Sequence, residues 1–249
     1  GNGCKCGEML VKSGGALEVY SEDHTFSGKL TAESDSTLTL SGGVYTEIAA
    51  QSGAKLTLSG GKFTNITVNG QLLIDCLAEG KAFEDMNNGD VIDGRNPIAG
   101  DVKVVDHTHT CVWKTNTHEK LCGCGYVEAV DTEAPVISAI KDGGVYYNLV
   151  YFSVTDANDF TVTVDGTPVQ IPLTGYLLLG DNQTHTITAT DVAGNTVTVT
   201  VTVYKLYFVT LPRDTAGYTV KGVSAVGHGM DYEFTVKIAD GYSKTENYR

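Results

Sequence analysis

What this chain lacks narrows it quickly. No apolar run approaches the roughly eighteen residues a membrane helix needs, so no membrane insertion through a helix is expected. Basic residues are scarce: Lys and Arg number 17 against 30 Asp and Glu, for a net charge of −13. So acidic a chain is repelled by phosphate backbones and anionic lipid, which argues against nucleic-acid and membrane-surface partners. Six cysteines in 249 residues are too few for a scaffold built on disulfides. Their even number permits disulfides in an exported chain, but the connectivity is not readable from sequence. Catalytic signatures are missing as well: there is no Gly-x-Ser-x-Gly, no Gly-rich phosphate loop and no His-Glu-x-x-His. Carboxylates are plentiful, yet a pair such as Asp156 and Asp159 falls in a turn and is expected to hydrogen-bond its loop. No signal peptide precedes Gly1, so the chain reads as one trimmed of its export signal.

What is present points to β-structure. Hydrophobic residues make up 41%, enough for packed cores, while 29 Gly and 13 Tyr suit a turn-rich all-β chain. Residues 13–70 carry an internal repeat. Leu30, Ile48 and Ile66 lie eighteen apart, Leu38 and Leu56 share that spacing, and so do Leu40 and Leu58. Gly42-Gly43 recurs as Gly60-Gly61, Tyr45 as Phe63, and Phe26 stands one step off register. Two short apolar strands with a Gly-Gly corner make about one coil of a parallel β-solenoid, which must stack on its neighbours to bury its inward residues.

A solenoid needs covered ends. The run 72–79 breaks the strand pattern and ends at Gly80, so a short capping helix is expected there, with Leu73, Cys76 and Leu77 facing in. Cys76 then reads as a small buried hydrophobe. The loop 84–100 holds Asp85, Asn87, Asp90 and Asp93, but lacks the order and distal Glu of a calcium loop, so it reads as solvated. Residues 102–105 form a final strand.

Residues 106–130 (DHTHTCVWKTNTHEKLCGCGYVEAV) crowd together His107, His109, Cys111, His118, Cys122 and Cys124. Tetrahedral zinc takes imidazole nitrogen and thiolate sulfur, and a structural site would hold a segment too small for its own core. Three readings stand open: structural zinc on Cys111, His118, Cys122 and Cys124; disulfides among these cysteines; or free thiols beside a solvated histidine loop. Zinc ribbons use Cys-x-x-Cys, whereas Cys122-Gly123-Cys124 has a single spacer. The segment resembles His- and Cys-rich inserts of bacterial surface proteins that end in Cys-x-Cys-Gly. Cys4-Lys5-Cys6-Gly7 repeats that tetrad, as if a second insert ended there. Trp113 is expected to fill a small core. His24, His185 and His228 stand alone and read as surface residues.

From Asp131 to Val203, apolar and polar residues alternate with period two, most cleanly in Thr196–Val203. Thr161–Val164 meets Val169 through Asp165-Gly166, a pair suited to a tight hairpin. Short strands about every ten positions signal an antiparallel sandwich. Glu133-Ala134-Pro135-Val136-Ile137, Val154-Thr155-Asp156-Ala157-Asn158 and Thr188-Ala189-Thr190-Asp191-Val192-Ala193-Gly194-Asn195-Thr196 resemble bacterial immunoglobulin-like repeats. That resemblance covers about seventy residues and implies export and a spacer or binding role. After it, two strands near 207–212 and 232–238 form a small module, which either packs on the sandwich or belongs to a longer chain.

The expected fold is therefore all-β. A short parallel β-solenoid spans 1–105, a Cys/His-rich linker 106–130, an immunoglobulin-like β-sandwich 131–204 and a small, truncated β module 205–249. The expected function is that of a non-enzymatic extracellular or cell-surface fragment, secreted or attached to the cell wall. As a stalk or adhesin it would present or bind an extracellular ligand, a glycan or a host or cell-surface protein. The alternative is a carbohydrate-binding accessory region of a secreted glycan-degrading enzyme, with Tyr146, Tyr147, Tyr151 and Tyr176 as stacking candidates. Catalysis on the solenoid is not expected, because three coils rich in Thr, Ser and Gly offer no charged groove.

Overall fold

The computed structural model describes residues 7–98, 100–172 and 175–243. Cys4 and Cys6, and with them the expected second insert, lie outside the described residues. The chain divides into two compact units, Gly1–Asp131 and Thr132–Arg249. The Cys/His-rich segment falls within the first.

The first unit begins with β1 (Glu8–Val11), β2 (Ala16–Val19), β3 (Thr25–Ala32), β4 (Thr37–Ala50) and β5 (Lys55–Val68). All their mutual pairings are parallel. β4 and β5 pair along both halves, with Leu38 opposite Leu56, Leu40 opposite Leu58, Tyr45 opposite Phe63 and Ile48 opposite Ile66. The repeat read in the sequence is thus the rise from one coil to the next. Leu30 opposes Ile48 in the same step, while Phe26 reaches Tyr45 only after a shift in register between Phe26 and Lys29. β2 stacks on the first half of β4, and β1 on β3. Inward residues Leu38, Leu40, Ile48 and Leu58 are wholly buried, so each coil is stable only as part of the stack.

The Gly-Gly corners allow the coils to come this close. A Cβ placed on Gly60 would lie 2.3 Å from the Ser41 carbonyl oxygen of the preceding coil, and Gly61 has φ 107°, a conformation L side chains rarely adopt.

β6 (Lys81–Asp85), β7 (Val91–Ile92) and β8 (Val102–Asp106) follow. β8 pairs antiparallel with β5 at Phe63 and Val102, and with β6 along its length, while β7 pairs with β6. Phe83 and Val102 enter the solenoid core. This antiparallel group covers the last coil's edge at Lys62 and Phe63. The capping helix expected over 72–79 is only a single 3-10 turn, Ile74–Cys76. Leu73 and Cys76 are buried and Leu77 packs against the core, as the pattern implied. Leu77, however, is extended and bridges Leu58 in parallel, and the Ala78 N–H donates to the Leu58 carbonyl at 2.9 Å. A helix through these residues would have left that carbonyl unpaired at a buried edge, so the ladder wins.

The unit ends in an antiparallel meander, β9 (Cys111–Lys114), β10 (Glu119–Cys122) and β11 (Val127–Val130), with β10 central. Trp113 is half-buried opposite Lys120 and is not part of a core cluster.

The second unit is a β-sandwich. Its strands are β12 (Val136–Ser138), β13 (Gly144–Tyr147), β14 (Leu149–Thr155), β15 (Phe160–Val164), β16 (Thr167–Val169), β17 (Tyr176–Leu179), β18 (Gln183–Asp191) and β19 (Thr196–Tyr204). One sheet runs β12-β14-β17, the other β13-β19-β18-β15-β16. All pairings are antiparallel except β13 with β19. Val150, Phe152, Val154 and Leu178 meet Val162, Ile187, Ala189, Val199, Val201 and Val203 in one core. On the outer face the threonines pair across β18 and β19, with hydroxyls 2.9 to 3.1 Å apart at 184/202, 188/198 and 190/196. Asp165 (φ 52°) and Gly166 (φ 77°) make the tight turn the sequence predicts.

β20 (Leu206–Phe208) pairs β22 (Ala225–Gly227), and β21 (Tyr218–Gly222) pairs β23 (Phe234–Ile238). Phe208 and Phe234 are largely exposed, so these pairs have little core of their own. They group with the sandwich in the second unit, tied by Lys205 N–H to Asn182 Oδ1 at 2.7 Å.

Candidate metal centre

Two extended pairs converge in the first unit. β8 ends at Asp106, and the His107 N–H is fixed to the Gly80 carbonyl at 2.8 Å. Residues i and i+2 of an extended chain share a side, so His107 and His109 are placed to point the same way. The second pair closes β10. There Gly125 N–H donates to the Cys122 carbonyl at 3.0 Å, and Cys122 N–H to the Tyr126 carbonyl at 2.9 Å. Gly125 has φ 94°, which lets this turn form, and the Cys124 carbonyl accepts Gly94 N–H at 2.9 Å. The 84–100 loop is thereby pinned behind the turn. Arg95 pins it again, reaching Asp93 at 3.0 Å and Glu119 at 3.2 Å.

The donor atoms of His107, His109, Cys122 and Cys124 all lie within 4.8 Å of one another. His107 Nε2 stands 3.2 Å from Cys122 Sγ, and His109 Nδ1 3.3 Å from Cys124 Sγ. Both cysteines are buried, and the histidines are half-buried. His109 stacks on Tyr126 with ring centroids 4.2 Å apart, fixing its plane.

The two thiols differ sharply. Burial alone would raise Cys122, but the Cys124 backbone N–H and hydrogen bonds from His107 and His109 outweigh it and bring the thiol down to about 6. Cys124 is pushed up to about 11, first by burial and then by neighbouring Cys122, against the Tyr126 backbone N–H.

Of the four ligands predicted from sequence, Cys122 and Cys124 belong to this cluster, Cys111 borders it beside Cys122 without joining the four converging donors, and His118 lies away from it. Cys111 stands directly opposite Cys122 in the β9–β10 ladder, half-buried. Its thiol is raised, first by burial and then by a hydrogen bond with Glu128. His118 lies at the other end of β10, in the turn with φ 58°. Four residues of strand put it roughly 13 Å from Cys122. His107 and His109, counted among the possible donors in the sequence but left out of the four chosen there, are the ones that stand beside the two cysteines. The signal for them was their spacing, which matches the single-spacer cysteine pair. Cys76, Cys111, Cys122 and Cys124 are all free thiols. Cys76 is buried and its thiol pushed up to about 12 by that burial, in keeping with a packing role.

Other candidates resolve differently. In the 84–100 loop, Asp85 Oδ1 accepts Asn87 N–H at 2.7 Å, Asp90 bonds Asn88, and Asp93 is held below the usual carboxylate range chiefly by its hydrogen bond from Arg95. These acids serve turns and an ion pair. In the sandwich, Asp156 Oδ1 accepts Asn158 N–H at 2.7 Å, as expected for a turn residue. Asp191, a residue the sequence reading passed over, is buried within 4.8 Å of Asp156 and bracketed by Asn195 N–H and Nδ2, each at 2.9 Å. His24 and His185 are not solitary. His24 bonds the Tyr45 hydroxyl at 2.8 Å, and His185 bridges two aspartates. An open cavity of about 530 Å³ adjoins the four-donor cluster, lined by Ile74, Leu77, Lys81, Arg95 and Tyr126. His109 is the one cluster donor on its wall.

Comparison of the chain with protein-family models, with curated proteins and with solved structures finds no match in any of the three.

Proposed function

We propose that the chain is a non-enzymatic extracellular or cell-surface fragment, a stalk or adhesin-like piece that presents or binds an extracellular ligand. The observation that carries this reading is the construction of the molecule from two successive all-β units, each filled by its own core. A stacked ladder and a sandwich resist local opening because most of their backbone bonds are cross-strand and their apolar residues are buried together. Such bodies suit spacing and presentation, and the strong acidic charge favours a solvated, self-repelling surface. Incubation with a panel of glycans and peptides tests it. No turnover is expected, and reproducible hydrolytic or lyase activity retained through purification would contradict it.

A second reading, a carbohydrate-binding accessory region, draws on one feature of the sandwich. On the outer face of β14 and β17, Leu149 opposes Leu179 and Tyr151 opposes Leu177, and all four are exposed. Tyr151 is thus an aromatic on an open apolar face, the kind of surface on which a sugar ring stacks. Tyr146 and Tyr176 pack against the core, and Tyr147 lies beside Tyr204 at 5.9 Å. In this reading a glycan array gives binders whose affinity falls in Tyr151→Ala. An array without binders, or binding indifferent to Tyr151, removes it.

A further inference from the structure

We infer that His107, His109, Cys122 and Cys124 form a closed structural zinc site that fastens the β9–β11 meander to the end of the solenoid. This goes beyond the proposed function and stands independently of it.

Geometry carries the inference first. A tetrahedral zinc with bonds of about 2.3 Å to sulfur and about 2.0–2.1 Å to nitrogen separates its sulfur and nitrogen ligands by roughly 3.6 Å. The two pairs here stand at 3.2 and 3.3 Å, and no donor is more than 4.8 Å from another. Both pairs are offered by backbone that is itself bonded in place. The Gly80 carbonyl holds His107, and the Gly94 N–H holds Cys124.

Ligand chemistry then selects the metal. Two thiolates and two imidazoles with no oxygen donor suit zinc and exclude calcium or magnesium. Four protein ligands fill a tetrahedron, leaving no position for substrate, which is the mark of a structural site. The surroundings fit as well. His109 is held in orientation by stacking on Tyr126, ring centroids 4.2 Å apart, the kind of outer contact that fixes a ligand imidazole.

The meander also needs such a clip. Its buried cluster consists of Ala82, Cys122 and Cys124, flanked by Ile74 and Cys111. Val112 and Val130 are exposed. Three strands with so little apolar burial do not hold themselves in register, and a metal centre supplies what the missing core does not.

Cys111 defines the competing outcome. Paired residues of an antiparallel ladder have Cα atoms about 4.5–5.5 Å apart, within the range a disulfide spans. A Cys111–Cys122 bond would take one sulfur from the cluster, so zinc and that disulfide exclude each other.

The test uses the full chain with Cys4→Ser and Cys6→Ser, purified with reductant, saturated with zinc and dialysed. Elemental analysis is expected to give about one zinc per chain, as a closed four-ligand site requires. Zinc content should fall more than about tenfold in Cys124→Ser and His109→Ala, and stay in Cys111→Ser and His118→Ala. Cobalt loading of the unsubstituted cluster guards against variants that merely misfold. Strong visible bands of tetrahedral cobalt with thiolate-to-metal charge transfer are expected. The inference is overturned by a folded, reduced chain that holds only trace zinc, or by weak octahedral cobalt bands. Equal zinc loss in Cys111→Ser, or a Cys111–Cys122 disulfide persisting in zinc-saturated protein, overturns it too.

Discussion

His185 sits between Asp165 at 2.8 Å and Asp181 at 3.1 Å, with its side chain mostly covered. Burial alone would lower its pKa, but hydrogen bonds and charge from the two aspartates outweigh burial and raise it. The stabilisation this gives is complete below the ordinary histidine value of about 6.5 and fades as pH climbs through the raised folded value. Asp165 is held low, first by the Thr186 N–H and then by His185, so it stays ionised across that window and adds no slope there. Thermal unfolding of the second unit is therefore expected to occur at lower temperature at pH 8.5 than at pH 6, with the difference reduced in His185→Gln. Identical pH slopes in the two proteins would show that the bridge contributes nothing. Nothing in the sequence marked His185 as paired, because its partners lie in turns whose approach depends on the hairpin. At the cluster the same limit applied. Cys122 and Cys124 were readable as neighbouring donors, while the approach of His107 and His109 to them depended on where β8 ends relative to β10.

Among elements, the solenoid was the most legible, because identical side-chain types recur at a fixed spacing and stacking converts that spacing directly into register. Leu38/Leu56 and Tyr45/Phe63 could be paired before any coordinates were known, and even the offset of Phe26 appears as a real register shift. The cap was legible only in its burial pattern. Leu73 and Cys76 turn inward either way, and what decided against a helix was the vacant ladder edge at Leu58. Close stacking at the corner has a cost that can be measured. Gly60→Ala forces a Cβ against the Ser41 carbonyl, and overpacking of this sort costs about 1–3 kcal/mol. The urea midpoint of the first unit is expected to fall accordingly, while that of the second stays put. An unchanged midpoint would mean that the coils are farther apart than described.

At the scale of the molecule, the all-β character and the sandwich followed from alternation and turn spacing. The grouping of 106–130 with the solenoid did not, since a segment with almost no apolar core looks like a linker unless its donors are seen to meet. Two units with separate cores make a further expectation specific. Stripping metal with a chelator should lower the unfolding temperature of the first unit and leave the second unchanged, because binding to one folded unit stabilises that unit alone. A shift in both transitions, or in neither, would contradict it. The most direct measurement is X-ray absorption at the zinc edge of the loaded full chain. Two sulfurs at about 2.3 Å and two nitrogens at about 2.0–2.1 Å are expected. A shell of three sulfurs, which would bring in Cys111, or one without sulfur, would contradict the His107, His109, Cys122, Cys124 centre.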